Sequence, residues 1–252
     1  MLSLTLFGCA SRRLDENPVD SPSAEKLEAQ KRASIRMQLA IGYYQQGQQK
    51  VALDEIREAL KISPDLVDAY SVRAVIFMDM GEKQLAEENF LYALKLAPNH
   101  SDIMNNYGWF LCQNGREKDG LAYLDKVIKD SAYPTPGKAL NNAGLCSLHL
   151  KDIAAAERYF MQGLKEEPAN PAINANIANI LYDRGQYGQA KFYIDRVMNK
   201  FDVIKADVLW LAIRIEKKLG DAAAVNGLAT QLRRRYPNSR EYTLFQRGAF
   251  DE

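Results

Sequence analysis

The stretch that decides the fold is residues 105–115, "NNYGWFLCQNG", because residues 141–151 repeat its plan as "NNAGLCSLHLK". Both open on paired asparagines, and both set a glycine three places on, at Gly108 and Gly144. Asparagine and glycine are weak helix formers. Yet the apolar residues around them fall at helical spacing. Two weak helix formers recurring at one place in two helices point to a constraint from outside the helix.

Working outward, small residues recur at Ala40, Ala74, Gly108, Gly144, Ala178 and Ala212. A second series runs Ala52, Ala86, Gly120, Ala156, Ala190 and Ala224. In each the steps are 34, 34, 36, 34 and 34 residues. A bulky third series follows the same steps: Ile56, Phe90, Leu124, Phe160, Ile194 and Leu228. Pro64, Pro98, Pro168 and Pro237 close four of the repeats, and Gly47, Gly81, Gly115, Gly185 and Gly220 mark turns within them. This pattern resembles the tetratricopeptide repeat, a helix-turn-helix of 34 residues. Small residues let the two helices of a hairpin approach, the bulky series fills the space beside them, and proline stops the second helix. One hairpin cannot bury its own apolar face, so repeats must stack. The expected fold is all-α: a superhelical solenoid of six repeats, about 33–66, 67–100, 101–136, 137–170, 171–204 and 205–239, with a capping helix in the final stretch up to residue 252. Repeat 3 is two residues longer through "SAYPTPG", so its turn should bulge. Repeat 5 has Asp202 where a proline is due, and repeat 6 carries Ile213 beside Ala212.

Charge is nearly balanced, 33 basic against 32 acidic residues, and 47% of the chain is apolar. A core is affordable, a nucleic-acid partner is not indicated, and no apolar run is long enough to span a bilayer. The chain opens "MLSLTLFGCA". Its short apolar run stops at Gly8-Cys9, as the end of a secretory signal does. Leu6-Phe7-Gly8-Cys9 resembles a bacterial lipobox, which makes Cys9 the lipidated residue and residues 1–9 the end of the signal. No Lys or Arg precedes the run, and Phe7 is bulky for its place. Residues 10–32 are polar, with Pro18 and Pro22, and read as a flexible tether. Ala10 after Cys9 favours the outer membrane over retention at the inner one.

The first helix of each repeat lines the inner face of such a solenoid. Its second, fifth, sixth, ninth, twelfth and thirteenth positions point into the groove. On this register the groove carries Asn105, Asn106 and Trp109, then Asn141, Asn142, Leu145 and Leu148, then Asn176, Asn179 and Tyr182. A carboxamide offers a donor and an acceptor, which suits the backbone of an extended peptide, with Trp109, Leu145, Leu148 and Tyr182 as apolar pockets. The other reading is that the asparagines solvate the surface or bond one another between helices. Lys138 stands alone, without the basic cluster that clamps a C-terminal carboxylate, so an internal or apolar segment suits the groove better. The first two repeats present Met37, Ile41 and Tyr44, then Val72, Val75 and Met78, an apolar groove for a partner or packing of the first hairpin.

Cys112 and Cys146 sit on consecutive first helices, near enough for a bridge. An exported chain would oxidise them; a cytosolic one would keep two thiols. His100 and His149 have no companions at metal-ligand spacing. No phosphate loop, dinucleotide fingerprint, nucleophile elbow or zinc motif occurs. No cofactor, no metal and no catalysis are expected, and Arg233, Arg234 and Arg235 read as a solvated helix end.

A lipobox, a polar tether and six repeats closing on "RRRYPNSREYTLFQ" resemble the type IV pilus biogenesis lipoproteins, the PilF/PilW pilotin family. The likeness rests on "NNYGWFL", on Tyr133-Pro134 and on "YPNSREY", and covers nearly the whole chain. It implies an outer-membrane lipoprotein facing the periplasm, held by its lipid alone. It also implies partners in the secretin subunit and other pilus assembly proteins. The competing class is a soluble tetratricopeptide co-chaperone or complex scaffold; a weaker one is a periplasmic factor for peptidoglycan or outer-membrane protein assembly.

Overall fold

Helix α1 (Ala24–Gln45) starts where Ser23 accepts a hydrogen bond from the Lys26 amide at 3.2 Å, a standard cap. In this computed structural model the described residues are 23–200 and 203–251. Their regular elements are thirteen α-helices, in two compact bodies, one up to Ala69 and one from Tyr70 onward. Residues 24–32 are therefore helical and not part of a tether. The stretch "AEKLEAQKR" is built from strong helix formers, and extending a packed helix is far cheaper than nucleating one. The rest of the expected tether, and the lipobox with Cys9, lie outside the described residues.

In the first body α1 packs on α2 (Gln49–Ile62). Ala33 and Ala40 on α1 and Ala52, Ile56 and Ala59 on α2 are all fully buried. Arg36 pairs with Glu55 at 2.7 Å along the seam.

Helix α3 (Val67–Asp79) leads into the second body, which holds α4 (Lys83–Leu96), α5 (Ser101–Gln113), α6 (Glu117–Ile128), α7 (Pro136–His149), α8 (Ile153–Glu166), α9 (Pro171–Asp183), α10 (Tyr187–Met198), α11 (Ala206–Leu219), α12 (Ala222–Arg235) and α13 (Arg240–Arg247). Hairpins α5–α6, α7–α8, α9–α10 and α11–α12 stack in order, and the first helices α5, α7, α9 and α11 stand side by side. Phe90, Leu124, Phe160 and Ile194, the bulky series, are fully or almost fully buried. The small series work by distance. A Cβ on Gly120 would lie 2.5 Å from both the Gly108 carbonyl oxygen and Cys112 Sγ.

The long turn of repeat 3, residues 129–135, is tied down at several points. Ser101 donates to Asp130 at 2.5 Å, the buried Tyr133 hydroxyl donates to Asp102 at 3.0 Å, and the Gly137 amide donates to Glu167 at 3.0 Å. Burial, chiefly, pushes the Tyr133 phenol up to about 12, so it remains a neutral donor. Repeat 4 has no glycine at its inner turn. Lys151 takes the left-handed conformation there, φ 60°, where Gly47, Gly81, Gly115 and Gly185 serve in other repeats. Helix α13 closes the array: Leu244 is buried with Leu209, Trp210, Ile213 and Leu232.

Candidate functional site

The asparagines answer to one another. Asn105 is fully buried on α5. Its amide donates to Asn106 Oδ1 at 3.2 Å, and its oxygen accepts from Asn142 Nδ2 on α7 at 3.0 Å. Asn176 on α9 donates to Asn141 on α7 at 2.9 Å. Asn106 donates to Ser71 at 3.4 Å and accepts from Lys138 at 3.1 Å. The pairs form a ladder that fixes the register of neighbouring first helices. The expectation that Asn105 holds a partner's backbone is corrected accordingly, since it has no surface to offer. Asn106 and Asn142 are half-buried and each spends its amide N–H on the ladder. We predict that Asn105→Ala lowers stability by about 1 to 2 kcal/mol in urea unfolding, because two polar partners lose their bonds and alanine's better propensity offsets only part of it.

Trp109 is half-buried against the pair Cys112–Cys146, which is joined by a disulfide with Cα atoms 5.4 Å apart. Both cysteines are buried, and His149 Nδ1 lies 3.2 Å from the Cys112 carbonyl with its ring against Trp109. On α1, Ile41 and Tyr44 are half-buried, while Leu27, Ile35 and Leu39 are exposed, Ile35 at 61%. A groove beside Ile35 and Leu39 is floored by Gly42 and Tyr43. Val75 and Met78 are half-buried on α3. His100 and His149 belong to no metal-ligand cluster among the described residues. No helix of the described residues is long and apolar enough to cross a membrane.

An open groove remains on the first-helix face at α7, α9 and α11. A cavity of about 270 Å³ is bounded by Asn141, Leu145, Ala175, Val203 and Val208. It continues into a smaller one beside Asn179, Asp207, Trp210 and Arg214, with Asn176 lining both. Four predicted groove residues, Asn141, Leu145, Asn176 and Asn179, thus meet here. Tyr182 does not line it: it is buried one turn on, with the Arg214 guanidinium 4.4 Å from its ring centre. Burial pushes the neighbouring Asp183 carboxyl up, and Arg214 pulls it back.

The α11 contribution escaped the repeat register. Position nine, which gives Leu145 and Asn179 to the groove, is Ile213 in repeat 6, and Ile213 is fully buried among Leu209, Trp210 and Leu232. The face is turned by about one residue, so Asp207, Val208, Leu211 and Arg214 line the groove. Ile213 beside Ala212 was the signal.

Tetratricopeptide repeat family profiles match residues 67–100, 89–122 and 147–203. Type IV pilus assembly protein PilF of Pseudomonas aeruginosa is 32% identical over 246 residues, 98% of this chain and 95% of that protein. The chain belongs to the PilF/PilW family of type IV pilus tetratricopeptide-repeat proteins. The crystal structure of PilW, described as a widely conserved type IV pilus biogenesis factor, superposes with a TM-score of 0.71 at 34% identity, covering 85% of this chain and 98% of that one. The Pseudomonas aeruginosa PilF structure gives 0.71 at 32% identity, covering 88% and 99%. A Thermus thermophilus tetratricopeptide protein, 19% identical at a TM-score of 0.62, shares the fold. PilF/PilW members are repeat scaffolds and not enzymes.

Proposed function

We infer that this type IV pilus repeat protein is a pilotin: an outer-membrane lipoprotein, anchored through Cys9, that promotes assembly or localisation of the secretin subunit on the periplasmic side. The observation that carries the reading is the end-to-end likeness to a type IV pilus assembly protein, on a chain whose Leu6-Phe7-Gly8-Cys9 suits lipidation. The Cys112–Cys146 bond supports it, since such bonds persist in oxidising compartments. The exposed Leu27, Ile35 and Leu39 of α1 supply an apolar contact surface of the kind that partners cover.

The test is fractionation. Cys9→Ala in the full-length precursor should move the protein out of the outer-membrane fraction, end labelling by palmitate and reduce secretin multimers, with an unchanged melting curve. Attachment that survives the substitution would refute the lipid anchor. Normal secretin multimers in cells lacking the protein would refute the pilotin role.

A further inference from the structure

Three consecutive second helices carry a tyrosine at one place, and the next one lacks it. Counted from the N-cap residues Arg116, Asp152 and Gln186, the seventh residue is Tyr123 in α6, Tyr159 in α8 and Tyr193 in α10. In α12, capped by Asp221, it is Leu228. Tyr159 shows what the position does. Tyr159 and Ile128 pack against the buried cluster of Leu124, Ala143 and Cys146. The Tyr159 hydroxyl donates to Asp125 of α6, the preceding second helix, at 2.8 Å.

The same count puts Asp195 and Met198 of α10 where α6 has Asp125 and Ile128. Ala212 of α11 stands eight residues before the left-handed Gly220, as Ala143 of α7 stands before the left-handed Lys151. The walls of the tyrosine seat thus recur at α10 and α11, and the tyrosine does not. Between them lies a cavity of about 510 Å³, lined by Asp195, Met198, Ala212, Glu216, Leu228 and Gln231. Leu228 is half-buried, and nothing lies within 4 Å of a Cβ built on Gly227 beside it. Helix seams are normally packed without such gaps. The buried Glu216 is paired with Lys191, which reaches Asp195 only at 3.4 Å. Asp195, its side chain 42% exposed, keeps acceptor positions open, since a carboxylate offers about four.

We propose that this cavity seats a phenol side chain, a tyrosine of a partner protein, inserted where the earlier repeats supply their own. The ring lies against Met198, Ala212 and Leu228, and the hydroxyl donates to the Asp195 carboxylate, a bond stronger than one between neutral groups. A ring with one polar tip suits apolar walls beside a single open carboxylate. Tyrosines of this kind anchor many interfaces. The seat is built on second helices, so it is separate from the groove of first helices and from the apolar stripe of α1.

The experiment titrates N-acetyl-tyrosinamide, N-acetyl-phenylalaninamide and p-cresol into the full ¹⁵N-labelled chain and follows the backbone amides of Gly227 and Leu228. The tyrosine amide should move both signals and bind about tenfold tighter than the phenylalanine amide, the effect of one hydrogen bond to a charged group. Asp195→Ala should remove that difference. Leu228→Tyr should fill the seat with the chain's own phenol, raise the melting temperature and abolish binding. Should Leu228→Tyr fail to fold, the Asp195→Ala comparison, made on a partly exposed side chain, still decides. Signals of Gly227 and Leu228 that stay in place, or a tyrosine preference that survives Asp195→Ala, overturn the assignment. Binding of p-cresol without the tyrosine amide makes the ligand a free phenol and overturns the protein partner. Self-association of the parent chain that Leu228→Tyr removes makes the occupant a second copy and does the same. None of these outcomes involves Cys9 or secretin assembly, so this inference and the pilotin reading fail separately.

Discussion

Cys112→Ala/Cys146→Ala is expected to lower stability by about 3 to 4 kcal/mol, the chain-entropy value for a closed loop of this size, the two cysteines being 34 residues apart. For an array of this length the melting temperature should fall by roughly 6 to 16 °C. The bond joins α5 to α7, two first helices one repeat apart, so its loss loosens the middle of the stack and not one end. A repeat array transmits such a change mainly to nearest neighbours. Hydrogen exchange should therefore rise first in α5 to α8. Both sulfurs are buried, so a reductant added to the folded protein should act slowly, and fast once denaturant opens the array. Two titratable thiols in the folded, oxidised protein, or a double variant that melts like the parent, would rule out a stabilising bridge.

Gly120→Ala should cost about 3 kcal/mol, the upper end of ordinary overpacking penalties. The new Cβ would sit 2.5 Å from a backbone oxygen, that of Gly108, and 2.5 Å from Cys112 Sγ, itself tied into the disulfide. Neither can swing aside as a side-chain end does, so α6 must move off α5. Gly227→Ala is the matched control. It lies inside α12 with nothing within 4 Å of its added Cβ, and should stabilise the chain by about 0.5 to 1 kcal/mol through helix propensity alone. The decisive measurement is the pair of urea midpoints. If Gly120→Ala and Gly227→Ala shift in the same direction, close packing of α5 and α6 does not explain the small-residue series. In a Cys112→Ala background the Gly120→Ala penalty should shrink but persist, because the Gly108 oxygen remains.

The helix pairs and their order were legible because the constraint behind them is local and repeated. Gly108 against Gly120 and Gly144 against Phe160 are contacts within one hairpin, so each leaves its mark at a fixed spacing. The capping helix was legible for the same reason, as a last apolar face needing cover. Other features were not. Lys151 holds a turn by the conformation that glycine holds elsewhere, and a lysine codon carries no mark of φ. The helical start of α1 within residues 24–32 was hidden because few large apolar residues mark it, although its helix formers and Ser23 were in view.

By itself, then, the sequence determined the repeat, the pairing of helices and the face on which the asparagines lie, since spacing along a helix sets direction. Only the tertiary structure decided which of those asparagines are free. A carboxamide's partner stands on the next first helix, some 35 residues away, and Asn105–Asn142 and Asn141–Asn176 close on each other. Ile213, buried with side chains of α12 and α13, marks a turn of α11 by about one residue that brings Leu211 and Arg214 to the groove. Hydrogen bonding and burial are settled between helices, at distances the repeat spacing does not encode, so the spacing named the face and the packing chose the atoms left open on it.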